Sequence, residues 1–245
     1  MTQIKATLID HMGSDLSVVR SARVSFSKDS AAEGWDWYDY PEGGASGDFI
    51  AVLKESDKKL IKFLAKHEHY SPFNHTNVTF HVKAPIFVAR QLVKHEYMPW
   101  NEISRRYVDD EPEFYVPDVW RGRSADKKQG SSDKEVTSLR FLGFRTETVH
   151  EGYERFLHHS QSLYKDMIDA GVCPEQARMV LPTSQFTEWY WSGTVKAFHK
   201  MCRLRCASDT QYESRIVAGQ ISKVMGELFP VSWTALMESE DQVDG

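Results

Sequence analysis

Residues 77–83, NVTFHVK, alternate without a break: Val78, Phe80 and Val82 fall on one side, Thr79, His81 and Lys83 on the other. A period of two over seven residues requires a half-buried strand. Pro85 then suits the first turn of a helix, and Ile86 to Lys94 continues it, with Arg90 and Lys94 at i,i+4. The chain next spends fourteen residues, KHEYMPWNEISRRY (94–107), on groups of both charge signs. A solvated turn needs a few Gly, Asn or Ser; it does not need two arginines, two carboxylates and a tryptophan. A core strand and helix that deliver such a stretch to the surface point to a ligand site.

The rest of the chain supplies mostly helices. Residues 2–10 alternate weakly and predict an edge strand. Leu16 to Phe26 fits either a short helix or a strand. Ile50 to His67 and Phe141 to Ala170 read as helices, the second ending at Gly171. Pro174 opens another, interrupted at Pro182; Thr194 to Cys206 and Glu213 to Leu228 add two more. Residues 30–48 and 121–135 are read as polar loops or insertions. The expected class is α/β (α+β), one domain over 1–235, with an acidic tail at 236–245.

The chain has 245 residues, enough for an ample core. A net charge of -5 gives no electrostatic footprint for nucleic acid. No apolar run reaches the roughly 20 residues of a membrane span, and the N-terminus lacks a signal-peptide pattern, so no membrane partner and a cytoplasmic location are expected. Cys173, Cys202 and Cys206 are odd in number and lack paired spacing, so they are read as buried structural thiols.

Three groups of residues carry candidate chemistry. On the helix 194–206, Val195, Phe198, Cys202 and Arg205 share one face, so Arg205 is expected to be partly buried; a buried guanidinium must be paired or hold an anionic or carbonyl-bearing ligand. Lys196, Lys200 and Arg203 form another face, which a solvated basic helix would also show. His67, His69 and His75 in KHEHYSPFNH admit a metal site, as in a hydrolase, or a loop pinned by Pro72 and Phe73. No pattern fixes a fourth ligand, so no metal is expected. Third, Gln91, Glu102, Ser104, Arg105 and Arg106, with Arg178 and Arg205 farther on, read as a nucleotide monophosphate site. Neither a Walker loop nor GxGxxG is present. Seven tryptophans and ten tyrosines fit flat-ring ligands by stacking, or simply a core.

These residues resemble the flavin-dependent thymidylate synthase family. RSARVSFSKD (20–29), KHEHYSPFNH (66–75), FHVKAPIFVARQ (80–91), NEISRRY (101–107), ARMVLP (177–182), the helix through Leu204 and Arg205, and the PVSW block near 230 are similar to its blocks, in its order. The family's signature is Arg-His-Arg, seven residues, then Ser. This chain has Lys94-His95-Glu96 and keeps the spacing to Ser104. In the later helix, Thr194, Lys196 and Lys200 stand where the family usually has Asn, Arg and Asn.

The resemblance implies a thymidylate synthase-complementing fold, with a central, mostly antiparallel sheet and long flanking helices. It implies reductive methylation of deoxyuridine monophosphate (dUMP), with FAD as cofactor and NADPH and methylenetetrahydrofolate as co-substrates, in a homotetramer with shared sites. By resemblance Arg205 is the catalytic residue, polarising the pyrimidine. Gln91, Lys94, Glu102, Ser104, Arg105, Arg106, Arg178 and Arg205 hold dUMP. Ser71, Lys94, His95, Glu96, Glu102, Thr194, Lys196 and Lys200 face FAD, with His69 near folate or flavin. The altered triplet leaves room for a related flavin-dependent pyrimidine nucleotide methylase or hydroxymethylase, for example on dCMP, and for a non-catalytic nucleotide-binding paralogue.

Overall fold

The structure is a computed structural model and describes residues 3–24, 36–39, 49–107, 110–125, 130–141 and 145–239. The strand expected from the alternation is β4 (Asn77–Pro85), with Val78, Phe80, Val82 and Ala84 fully buried. It pairs antiparallel with β1 (Lys5–Met12) on one side and β10 (Phe186–Gly193) on the other; β10 in turn pairs antiparallel with the short β5 (Trp100–Glu102). The order β1-β4-β10-β5 makes the N-terminal segment an edge strand, as its weak alternation predicts. Short antiparallel hairpins lie outside this sheet: β2 (Asp36–Asp39) with β3 (Phe49–Val52), β6 (Arg121–Arg123) with β7 (Ser131–Glu135), and β8 (Ser138–Phe141) with β9 (Arg145–Thr148).

The helices are α1 (Asp15–Val24), α2 (Glu55–Lys66), α3 (Ile86–Leu92), α4 (Val149–Asp169), α5 (Pro174–Ala177), α6 (Val195–Arg205), α7 (Tyr212–Leu228) and α8 (Pro230–Ser239). The apolar face of the sheet packs on α6 and α7. Phe80 and Trp191 each meet the Phe198 ring edge-on, at 5.1 and 5.6 Å between centroids. Val217, Ile221 and Met225 of α7 complete this core. Asp15 opens α1, yet its carboxylate accepts from the backbone N–H groups of Val231 (2.9 Å) and Ser232 (2.8 Å), capping α8 from a distance. A helix N-terminus favours an anion, which explains a buried aspartate at that joint.

Several boundaries differ from the sequence reading. Of the segment 16–26, residues 16–24 belong to helix α1, and 25–26 lie outside the described residues. The helix expected from Ile50 starts at Glu55, after strand β3, because Asp57 caps it by accepting from the Lys54 N–H (3.3 Å). The helix expected from Phe141 starts at Val149: Thr148 accepts from the Glu151 N–H (3.1 Å), and the Glu151 carboxylate accepts from Thr148 N–H (3.2 Å). That reciprocal pair, readable as T-x-x-E, sets the helix start; Phe141 instead ends β8, and 142–144 lie outside the described residues. At the other end Gly171, with φ +86°, stops α4 where expected. Residues 121–135 contain the β6–β7 hairpin rather than only loop. Of residues 30–48, positions 36–39 form β2 and the others lie outside the described residues. The tail boundary at 236 falls inside α8, whose Leu236 is fully buried; 240–245 lie outside the described residues. Only Cys202 is a buried thiol, bonded toward the Ala218 carbonyl at 3.6 Å; Cys173 and Cys206 are exposed. Cys173 precedes α5 and Cys206 caps α6, so neither lies on an inward face.

Candidate active site

The stretch after α3 turns back and becomes the sheet's outer strand. Tyr97 takes a left-handed backbone, φ +60°, and β5 then pairs Trp100 with Trp191 and Glu102 with Trp189. Trp100 stacks on Trp189 at 4.4 Å. Between the helix and the strand, Lys94, Glu96 and Tyr97 are exposed and His95 is half-buried. Gly193 ends β10 where an added Cβ would sit 3.0 Å from Met98 Cε, so the turn packs closely on the start of α6.

Arg205, the last residue of α6, meets this turn. It is half-buried, as its helical position predicts. Its Nε–H donates to His95 Nε2 at 3.2 Å and its Nη2 donates to the Gln91 carbonyl at 3.3 Å. Among the described residues no carboxylate pairs with it. Burial, then the charges of Arg205 and Lys200, push the His95 imidazole down to about 4, so it is neutral and accepts. The Gln91 side chain faces α7, donating to Gln211 Oε1 and accepting from Ser214 Oγ at 3.1 Å. Sequence reasoning missed Gln211 and Ser214; no local pattern links them to Gln91.

A second cluster lies at the other end of α6. Thr194 caps the helix by accepting from the Ala197 N–H (3.2 Å), and its hydroxyl donates to Asn74 Oδ1 (2.8 Å). That bond ties α6 to the 3-10 turn Ser71–Asn74, whose Ser71 is exposed. Lys196 places its Nζ 3.3 Å from the Tyr70 ring centroid and 3.1 Å from His199 Nδ1. Burial, then the charge of Arg203, lowers the Lys196 ammonium to about 8. Lys200 is exposed. His199 lies one turn after Val195, so the helical period alone assigns it to the buried face.

The remaining predicted residues are placed separately. Glu102 is half-buried and accepts from Trp100 Nε1 (3.0 Å) and Thr187 Oγ1 (2.8 Å). Arg106 folds back on Ser104, its Nε donating to Oγ at 3.3 Å, and Arg105 donates to the Asp110 carbonyl. Arg178 is exposed and its Nε donates to the Glu175 carbonyl at 3.3 Å. So the chain brings Gln91, His95 and Arg205 together, and Thr194 and Lys196 together near Ser71. It does not bring Arg178 or Arg106 to Arg205 by any direct contact.

His67, His69 and His75 are exposed, and His67 Nδ1 bonds the Phe63 carbonyl at 2.9 Å. Among the described residues no three His, Cys, Asp or Glu side chains are grouped to hold a metal ion. No described helix is long and apolar enough to cross a membrane. Beside Gln211 a cavity of about 570 Å³ opens, walled by Arg121 and Ser131 of the 121–135 region and by Trp120, Tyr153 and Glu213. Arg121 pairs with the buried Glu213, so this hairpin is anchored to α7.

Arg205, with no carboxylate partner among the described residues, and the desolvated Lys196 thus stand at opposite ends of α6, while Trp100 stacks on the buried Trp189 at the sheet edge. The chain belongs to the thymidylate synthase complementing protein family, whose model matches residues 7–231. It is 36% identical over 232 residues to a flavin-dependent thymidylate synthase of Kosmotoga olearia, covering 94% of this chain and 88% of that one. A flavin-dependent thymidylate synthase of Thermosipho africanus is 33% identical over 231 residues, covering 94% and 90%. Among solved structures, the UMP/dUMP methylase PolB from Streptomyces cacaoi, bound with 5-Br dUMP, superposes with a TM-score of 0.75 at 30% identity, covering 96% of this chain and 94% of that one. The expected fold class and family are therefore borne out.

Proposed function

We propose that this protein is a flavin-dependent thymidylate synthase that methylates dUMP reductively. The observation that carries the reading is Arg205: a half-buried guanidinium fixed by a neutral imidazole and a carbonyl, with no carboxylate paired to it among the described residues. Such a charge favours the electron-rich form of a pyrimidine and raises the nucleophilicity of its C5. Gln91, Lys94, Glu102, Ser104, Arg105, Arg106 and Arg178 are the other proposed dUMP residues. Gln91 and Glu102 enter it already hydrogen-bonded, which fixes their carbonyl and carboxylate in place.

The flavin fits the residues present. Lys196 carries a desolvated ammonium near the N-terminus of α6, where a diphosphate finds a cation and the positive end of the helix dipole. Ser71, Lys94, His95, Glu96, Glu102, Thr194, Lys196 and Lys200 are the residues proposed to hold FAD, which when bound supplies the hydride. Methylenetetrahydrofolate is the proposed carbon donor and NADPH the proposed reductant, with His69 near folate or flavin. The proposed assembly is a homotetramer acting in the cytoplasm.

The test is an absorbance spectrum of the purified protein with added FAD and dUMP, followed by a methylation assay. Flavin bands that bleach on NADPH addition, and dTMP formed from dUMP, are expected. A colourless protein that still binds dUMP would favour a non-catalytic paralogue. The likeness to a UMP/dUMP methylase favours running UMP and dCMP beside dUMP, since either as preferred substrate would replace dUMP in the reading. Arg205→Ala is expected to keep the fold and lower turnover by about 10²–10³-fold, the loss seen when one charge-stabilising donor is removed; near-normal turnover would refute its assignment.

A further inference from the structure

We infer that His95 is a positioning residue that holds the Arg205 guanidinium in its working orientation without neutralising it. The inference rests on the reading of Arg205 as the group that polarises the pyrimidine.

The geometry is specific. His95 follows α3 and its backbone N–H donates to the Leu92 carbonyl at 3.1 Å, which fixes the turn. Its ring lies 6.4 Å from the buried Trp191 ring, tilted by 50°. Nε2 faces Arg205 Nε at 3.2 Å. A guanidinium only donates, so Nε2 must carry a lone pair, and the imidazole proton sits on Nδ1. With the Gln91 carbonyl on Nη2, two contacts on one edge of the planar fork fix its plane. Among the described residues the other N–H groups of the guanidinium have no protein acceptor.

The choice of partner matters more than its presence. Arginines are commonly fixed by carboxylates, and a carboxylate in contact cancels the positive field a ligand would feel. An imidazole that stays neutral accepts the hydrogen bond and leaves the charge in place. Burial and the flanking Arg205 and Lys200 charges keep it neutral. Glu96, one residue on, is exposed and is not bonded to Arg205. This separates His95 from its neighbours Lys94 and Glu96, where the chain departs from the Arg-His-Arg pattern while His95 keeps it.

Two measurements test the inference. The first needs no ligand: ¹⁵N NMR of histidine-labelled protein between pH 5.5 and 8. His95 is expected to stay neutral throughout, with Nδ1 protonated, and its Nε2 resonance is expected to shift in Arg205→Lys. An Nε2-protonated ring, or one that titrates like a free histidine and ignores the Arg205 change, overturns the inference. The second is a substitution series read as kcat and KM on dUMP. His95→Gln supplies a neutral acceptor, His95→Glu a charged one and His95→Leu none. His95→Leu and His95→Glu are expected to lose about 10²-fold in kcat, the scale of a misplaced or weakened catalytic group. His95→Gln is expected to recover at least about tenfold of that, with kcat compared at saturating FAD across the series. Equal losses in the Gln and Leu variants, or a Glu variant as active as the Gln one, overturn it. If the wild-type protein makes no dTMP, the functional reading fails, while the NMR result still decides the contact.

Discussion

Lys94 and Glu96 flank His95 and are both exposed, so they meet a cofactor, if at all, from the solvent side of the turn. Exposed ion pairs contribute 0 to about 1 kcal/mol, up to roughly fivefold in affinity. The sign reversal at Glu96 is therefore a modest handicap to holding an anionic flavin nucleotide, and Lys200 a modest compensation for it. Glu96→Arg is expected to tighten FAD binding by up to about fivefold, and Lys200→Ala to weaken it by a similar factor. Flavin fluorescence titrations of both variants decide this, and unchanged affinity in each would remove electrostatic compensation from the account. Arg205 was legible from sequence because a helix places every third or fourth residue on one face, and the apolar residues before it mark that face as buried. Its partners were not legible. Gln91 and His95 lie more than a hundred positions earlier, and only the packing of α3 and its turn on the end of α6 brings them to it.

At the scale of elements, α6 concentrates the chemistry: Thr194 and Lys196 at its start, His199 in its buried middle, Arg205 at its end. Burial, then the charge of Lys196, depresses His199 to about 4. The unfolded chain therefore binds more protons than the folded one between about pH 4 and the ordinary histidine range near 6.5. Stability must rise with pH across that window and fall as pH drops through it. His95 adds to the same slope. The free protein is expected to be less stable to urea at pH 5 than at pH 7, and His199→Phe to narrow that difference; an equal difference in wild type and variant would exclude His199 as a source. Periodicity located α6 and α7 within a residue or two because their apolar faces are continuous. It misplaced the start of α4, which the capping pair Thr148 and Glu151 sets. It also missed the β6–β7 hairpin, whose strands are short, polar and mostly exposed, and so carry no alternation to read.

At the scale of the molecule, Gln91 meets Arg205 within one chain, but Arg106 and Arg178 share no hydrogen bond with either. Arg205 is locked to His95 and Gln91, while Arg106 folds onto Ser104 and the exposed Tyr107, and Arg178 binds its own helix end. A site assembled between subunits brings such groups together, and symmetric assembly repeats the arrangement at every interface. This gives a prediction that structure within one chain does not. Arg106→Ala and Arg205→Ala are each expected to be nearly inactive as homo-oligomers. Unfolded together and refolded as a mixture, they place an intact Arg106 loop from one parent beside an intact α6 from the other. If each site takes its loop and its helix from different subunits, random mixing restores about one half times one half, or roughly a quarter, of the sites. Activity near a quarter of wild type, rising from almost none, is the expected result of the dUMP assay on the mixture. If both residues serve a site within the same chain, every site in the mixture carries one lesion and activity stays at the parental level. Sedimentation of the mixture confirms that it has reassembled, so a null result would count against the shared site rather than against refolding.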